Sequence, residues 1–358
     1  MSVYIFVIIA ITILFGTAQY LDVYETDCDR CVIRHGRSAG ALFFVGALLL
    51  TLVAGLRYGV GTDFGAYYNP ARYVSELHRA LREVDEPGIC ALYAPISRFT
   101  DDGAYCIFIS AFITLALMLG TIFRHSSRLF DAAMLFVFMG CWHGSFNGVR
   151  QYLAAAILFC GYPFLKKREF GKYLVIVVIA FLFHKSAAIM LIPYFFVHSR
   201  VSVRNLILII AGCVVVFMLY DRLYGVVDFL MKEDINWDWE YMRSAVNPIR
   251  VLVNIVPAVF YLILYSRTKK NADENFWINL LIVNAVAMLL SSRSAYLARI
   301  GIYTAPFCAI AIPELNRKLE PRYERMVMIG MLILFGIYWW YDISHSGSLN
   351  NWRWVWER

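Results

Sequence analysis

Arg57, Arg150, Arg293 and Arg299 are the residues best suited to chemistry, because each stands at the edge of a long apolar stretch. Arginine presents a planar fork of donors that binds phosphate bidentately and does not neutralise itself by losing a proton. Taken singly, each also fits a side chain that snorkels to the membrane surface at the end of a span. Gathered on one side of a bilayer, the four carry a charge that an anionic substrate would offset.

Their neighbours extend that chemistry. Arg57-Tyr58-Gly59-Val60-Gly61-Thr62-Asp63-Phe64 follows an apolar helix and precedes Tyr67 and Tyr68. The glycines permit a tight turn that lets Arg57 and Asp63 face a helix bundle, and they equally fit an ordinary helix C-cap. Its Gly-x-Gly is no nucleotide fingerprint, since neither the strand nor the remaining glycine is present. Asn147-Gly148-Val149-Arg150-Gln151 opens another apolar helix, and a helix N-terminus adds partial positive charge beside Arg150, which suits a phosphate. His184-Lys185-Ser186 interrupts a stretch that is apolar on both sides. Burying these groups costs free energy without partners or water, so they mark either a site or a structural histidine at a helix break. Arg293 and Arg299 bracket the start of a late helix, among Ser291, Ser292 and Ser294.

Other patterns carry less. Cys28-Asp29-Arg30-Cys31 has metal-like spacing, but no second cysteine pair or histidine cluster completes it, and neither a metal nor a cofactor is expected. Asp27-Cys28-Asp29 lacks the α/β domain that a nucleotide-sugar Asp-x-Asp motif needs. Cys90 and Cys106 are expected on the outer side, where an oxidising compartment would allow a disulfide. Asp234–Glu240 is acidic, contains Trp237 and Trp239, and reads as a membrane-surface loop or a sugar-stacking face.

The elements that position these residues follow from composition. Of the 358 residues 60% are hydrophobic and 16% charged, with mean hydropathy +0.60. No soluble domain of this length covers so much apolar surface, so the solvent for most of the chain is lipid. The apolar runs predict an all-α polytopic integral membrane protein of about 10–12 transmembrane helices in a single transmembrane domain. The candidates are Ser2–Tyr20, Ala39–Leu56, Ala104–Phe123, Leu129–Trp142, Asn147–Leu165, Lys172–Ser199, Val203–Tyr220, Pro248–Ser266, Phe276–Ser292, Tyr296–Pro313 and Met326–Ile343. Ser2–Tyr20 lacks a basic n-region and is followed by acidic residues, so it reads as a retained span. The net charge of +7 resides mostly in loops, and nucleic acid is not an expected partner.

Two candidates are awkward: Leu129–Trp142 is short for a span, and Lys172–Ser199 is too long. Loop charge resolves the second. Lys166/Lys167/Arg168, Arg267/Lys269/Lys270 and Arg317/Lys318/Arg322/Arg325 are the densest basic clusters and should all be cytoplasmic. They share a side only if Lys172–Ser199 is a short-armed hairpin turning at His184-Lys185-Ser186. That parity places both termini outside, with the larger loops 57–103 and 221–247, and makes the tryptophan-rich tail 344–358 an interfacial anchor.

Arg57-Tyr58-x-Val60-Gly61-Thr62-Asp63-Phe64-x-x-Tyr67, Asn147-x-x-Arg150-Gln151 before an Ala-rich helix, Phe183-His184-x-Ser186-Ala187 before Leu191-Ile192-Pro193, and the Arg293/Arg299 pair together resemble the EpsG family of Wzy-type polysaccharide polymerases. The resemblance spans Arg57 to about Ser199 and the late pair; Arg72–Tyr105 matches loosely, around Glu86-Pro87-Gly88, and the carboxyl-terminal tail does not match. It implies a GT-C-like membrane glycosyltransferase that joins polyprenyl-pyrophosphate-linked oligosaccharide repeat units at the outer face of the bacterial cytoplasmic (inner) membrane. A chain-length regulator is a candidate partner beside the lipid bilayer. In that setting Arg57, Arg150, Arg293 and Arg299 would stabilise the leaving pyrophosphate. Asp63 or His184 would take the acceptor's proton. Tyr67, Asn147, Gln151, Lys185 and Ser186 would support them. A flippase for an anionic lipid-linked saccharide and an O-antigen-ligase-like transferase are the alternatives.

Overall fold

The computed structural model describes residues 1–27, 31–83, 85–231, 246–266, 271–292 and 294–358. Helix α1 (Ser2–Leu21) leads through a small antiparallel hairpin, β1 (Glu25–Asp27) and β2 (Val32–Arg34), into α2 (Arg37–Gly55). An amphipathic helix, α3 (Pro70–Glu83), precedes α4 (Ala104–His125), α5 (Leu129–Phe138) and α6 (Val149–Cys160). Next come α7 (Phe170–Phe183), α8 (Leu191–Phe196) and α9 (Val203–Met231). The chain continues with α10 (Pro248–Leu264), α11 (Ala272–Ser291), α12 (Ile300–Asn316) and α13 (Pro321–His345).

Five of these, α1, α2, α4, α11 and α13, are long and apolar enough to cross a membrane. Helix α1 shows what their outer faces meet. It buries Tyr4, Val7, Ile11, Phe15 and Ala18 at helical spacing, yet its opposite face presents Ile5, Phe6, Ile9 and Ile13. Both faces are apolar, so the exposed one faces lipid rather than water. The protein is an all-α, multi-pass membrane protein.

The short helix α5 is sheathed by α1, α12 and α13. Helix α5 has 10 residues, which at 1.5 Å per residue span only about 15 Å, and its residues 132–137 are all buried. Its end is set by a turn at Gly140, whose φ of +87° a residue with a Cβ would resist. A 3-10 turn, His143–Phe146, then leads into α6. Irregular backbone at this depth is tolerated because protein surrounds it.

Lys172–Ser199 is the hairpin that loop charge required. Helix α7 stops at His184, whose backbone is extended, and a 3-10 turn, Lys185–Met190, feeds α8 back. His198 Nε2 lies 2.7 Å from Leu165 O, so the two arms end at the same level.

Polar contacts sort the helix ends into two groups. At one end Lys166 pairs with Asp273 at 3.9 Å, Lys318 with Glu274 at 3.9 Å, and Arg128 with Glu324. This basic end holds two of the three basic clusters, while Arg267, Lys269 and Lys270 lie outside the described residues. At the opposite end residues 57–103, the 143–147 turn, the hairpin turn at His184 and the carboxyl-terminal tail come together.

Several boundaries differ from the sequence expectation. Residues 57–103 are largely helical rather than a plain loop, because α3 sets apolar Tyr73 and Ala80 inward and its charges outward. Helix α9 runs past Tyr220 to Met231, since charged residues mark where an apolar span ends without stopping a helix. Asn147–Leu165 breaks at Gly161, and the helix expected from Tyr296 is interrupted after Ala298. Cys90 and Cys106 are separate buried free thiols. Cys28–Arg30, Asp234–Glu240 and Arg293 lie outside the described residues.

Candidate functional site

The two glycine-containing motifs interlock. Thr62 N–H and its hydroxyl both donate to Asn147 Oδ1, at 2.7 and 3.1 Å. Asp63 Oδ2 accepts from Gly148 N–H at 2.8 Å, and Asp63 Oδ1 accepts from the Thr62 hydroxyl at 3.1 Å. Gly61 allows this approach: at φ +103° a Cβ there would lie 2.5 Å from Phe146 O. Asp63 thus supplies an anion at the α6 N-terminus, where the helix dipole favours one.

Arg57 lies behind this interlock. It is 3% exposed, and its guanidinium donates to Ala54 O, to Val60 O at 3.3 Å and to Phe146 O at 3.3 Å while stacking over the Phe146 ring. It lines neither of the cavities described next.

The larger cavity, about 320 Å³, opens between the start of α6, α10, the start of α12 and the end of α13. Its charged and titratable lining is Asp63, His143, Arg250, Arg299 and Asp342. Asn147, Gln151, Tyr152, Asn254 and Tyr338 add polar and aromatic surface. Gln151 fixes one wall by donating from Nε2 to Arg299 O at 3.0 Å. Two arginines stand with two carboxylates, Asp63 and Asp342, among tyrosines and carboxamides, so the lining offers both a forked donor for a phosphate and an acceptor for a sugar hydroxyl.

A smaller cavity of about 80 Å³ lies on the other side of α6 and shares Asp63. Arg72, Arg79 and Arg150 line it, but with Asp63, Glu76, Asp85 and Glu86 the carboxylates outnumber them. Arg150 Nη1 donates to Glu86 Oε2 at 2.7 Å, and its Nε reaches the Tyr67 hydroxyl at 3.4 Å. Glu86 Oε1 meets His184 Nδ1 at 2.6 Å and accepts from Lys185 N–H at 3.1 Å. Burial alone would push the Glu86 carboxyl up. The His184 hydrogen bond and charge, Arg150 and the Lys185 amide outweigh it and hold the group below its usual range. Lys185 pairs with Asp85 at 2.5 Å, and the Ser186 and Tyr303 hydroxyls meet at 2.7 Å, so the hairpin turn is fastened to α12 as well. His184 is 1% exposed and sits behind Glu86, lining neither cavity.

Of the residues singled out in the sequence, Asp63, Asn147, Gln151 and Arg299 meet at the larger cavity. Tyr67 and Arg150 line the smaller one, beside the His184-Lys185-Ser186 turn. Arg250, Asn254, His143 and Asp342 were not anticipated. A signal existed for Asp342, an ionisable residue in the last turn of an apolar span. Glu86 stood inside the loosely matching Glu86-Pro87-Gly88.

The sequence model of the EpsG family matches residues 40–354. The chain belongs to the EpsG family. This match runs through the site and into the tail, which the residue motifs alone had left outside the resemblance. No curated protein and no solved structure matches the chain.

Proposed function

We propose that the chain polymerises polyprenyl-pyrophosphate-linked oligosaccharide repeat units, working at the outer face of a bacterial cytoplasmic membrane. Membership of the EpsG family points to polysaccharide polymerisation. The observation that carries the reading to a site is the 320 Å³ cavity, where Arg250 and Arg299 stand at one end of the bundle. Its end lies opposite the basic clusters around Lys166 and Lys318. Basic loops stay cytoplasmic, so the cavity faces outward, as do both termini.

In this reading the donor's pyrophosphate rests against Arg299 and Arg250, which stabilise it as it departs from the anomeric carbon. The donor is already activated by its pyrophosphate, so arginine can play the part of a metal cation. Arg57 positions the 57–64 turn, and Arg150 with Glu86 holds the wall between the cavities. Asp63, on that same wall, braces the helix that carries Gln151.

The cavity's lining includes no residue of the basic clusters at the opposite end, which favours transfer over a flippase. The test uses membranes from a host deleted for this gene, in which the lipid-linked repeat unit accumulates. Adding purified protein without any nucleotide sugar should give a ladder of longer products. Translocation of the repeat unit with no ladder would refute polymerisation, and a single transfer to a different acceptor would support a ligase.

A further inference from the structure

We propose that Asp342, held in place by His143, takes the proton from the attacking hydroxyl in the larger cavity; this assignment rests on the polymerisation reading. The carboxylates at this end of the molecule differ in how fully they are occupied. Asp63 accepts from Gly148 N–H and from the Thr62 hydroxyl, one on each oxygen. Glu86 is 4% exposed and serves Arg150, His184 and the Lys185 amide. Both oxygens of Asp63 are engaged in bracing the start of α6, and Glu86 does not line the larger cavity. Asp342 is different: its side chain is 40% exposed and lines the same cavity as Arg250 and Arg299.

Its support is built from buried groups. His143 Nε2 lies 2.9 Å from Asp342 Oδ2, and the imidazole is 3% exposed. His143 Nδ1 is buried with no hydrogen-bond partner. With the proton on Nε2, the ring donates to the carboxylate and fixes its plane. Tyr338, one turn earlier on α13, lines the same cavity. A carboxylate has about four lone-pair sites, and the His143 contact is made on Oδ2, which leaves Oδ1 to accept from a substrate hydroxyl. The ring is placed by the turn at Gly140, beside which its Cε1 would sit 3.5 Å from an added Cβ.

The step balances without a further reagent. An Asp342 oxygen accepts the proton as the acceptor's hydroxyl oxygen bonds to the anomeric carbon of the donor. The bond from that carbon to the pyrophosphate oxygen breaks, and its electron pair leaves on the pyrophosphate against Arg250 and Arg299. The proton then passes from Asp342 to water at the cavity mouth. Asp342 is the catalytic residue here and His143 a positioning residue.

The experiment uses the membranes and purified protein of the ladder assay, with undecaprenyl pyrophosphate binding and thermal melting measured alongside. General-base catalysis contributes about 10²–10⁴-fold, so Asp342→Asn should slow ladder formation at least about 100-fold while binding and melting stay near wild type. His143→Ala should lower kcat with KM unchanged, and His143→Gln, whose amide can donate from a similar position, should recover part of that loss. If Asp342→Asn melts early, Asp342→Ala with added formate decides, because a small carboxylate should restore the ladder. A ladder at the wild-type rate from Asp342→Asn, or no formate rescue of Asp342→Ala, overturns the assignment alone. A wild-type preparation that gives no ladder overturns the polymerase reading and this assignment with it.

Discussion

Glu86 Oε1 lies 2.6 Å from His184 Nδ1, and the two residues are 98 positions apart in the chain. Through its other oxygen the same carboxylate holds Arg150. One buried side chain therefore joins the extramembrane segment before α4, the α6 N-terminus and the turn of the re-entrant hairpin.

Removing that charge should loosen the whole end of the molecule. Breaking a buried ion pair by deleting one partner costs about 3–5 kcal/mol, and Glu86→Gln is expected to lower the melting temperature by a corresponding amount in detergent. The pH dependence has a definite sign. The native Glu86 pKa is depressed below its ordinary value of 4.5. Its contribution is therefore complete above about that pH and is lost as pH falls through the native value. Melting followed downward from pH 7 should show the wild type losing stability below pH about 4.5, with a shallower slope in Glu86→Gln.

Gly61→Ala tests the interlock beside it. Its Cβ would fall 2.5 Å from Phe146 O and 2.9 Å from Asn147 Oδ1, at a φ of +103°. Backbone strain of this kind costs about 1–3 kcal/mol before any clash with backbone is added. Gly65→Ala is the control, since nothing lies within 4 Å of the added methyl. The first variant should melt early and polymerise poorly, and the second should behave as wild type; equal behaviour of the two would remove the structural role of the contact between residues 61–63 and 146–148.

The two central motifs were legible in the sequence because glycine, asparagine and a charged residue at the edge of an apolar run are costly unless something uses them. So was the hairpin, since a run of apolar residues too long for the bilayer must turn. Roles within the site were not legible. Arg57 and Arg299 look alike as letters beside apolar spans, yet one is spent on backbone carbonyls and the other lines the cavity. Only three-dimensional proximity distinguishes them. Asp342 and His143 are 199 residues apart, and neither has a local pattern that announces the other. Helix α3 was read as loop because its charges mask an apolar stripe too narrow to resemble a span.

The arginines should separate in the same way under mutation. Lysine keeps the charge and loses the planar fork. Arg299→Lys is expected to cut polymer formation by 10-fold or more, about 1.4 kcal/mol of transition-state stabilisation, with melting unchanged. Arg150→Lys should lower both activity and melting, because Arg150 Nε also reaches the Tyr67 hydroxyl at 3.4 Å. Polymer yield and melting temperature measured on the same preparations distinguish the two patterns, and a drop in melting for Arg299→Lys would mark it as structural instead.

The tail offers a further separation of fold from site. Tyr58 N–H donates to Arg353 O and Val355 N–H to Leu56 O, each at 2.9 Å, and Gly61 N–H donates to Ser348 O at 3.0 Å. Arg358 hydrogen-bonds Asp102 and holds its carboxyl down to about 2, aided by the Ala104 amide and the Tyr68 hydroxyl. That pair lies at the surface, where solvent screens it, and should contribute little. Truncation before Ser348 should therefore destabilise the 56–61 turn far more than Arg358→Ala does, and hydrogen exchange of the Tyr58 and Gly61 amides should accelerate only in the truncation.

The proposed orientation in the membrane rests on the sorting of helix ends and is open to direct test. Phe99, 88% exposed, belongs to the cavity end, and Val23, 82% exposed, follows α1 at the basic end. Basic loops are retained in the cytoplasm because translocating them against the membrane potential is unfavourable. In a cysteine-free background, Phe99→Cys should react in intact cells with a membrane-impermeant maleimide, whereas Val23→Cys should react only after permeabilisation. The reverse pattern would put the cavity in the cytoplasm, where it could not take substrate from the outer leaflet, and the proposed site of polymerisation would fall with it.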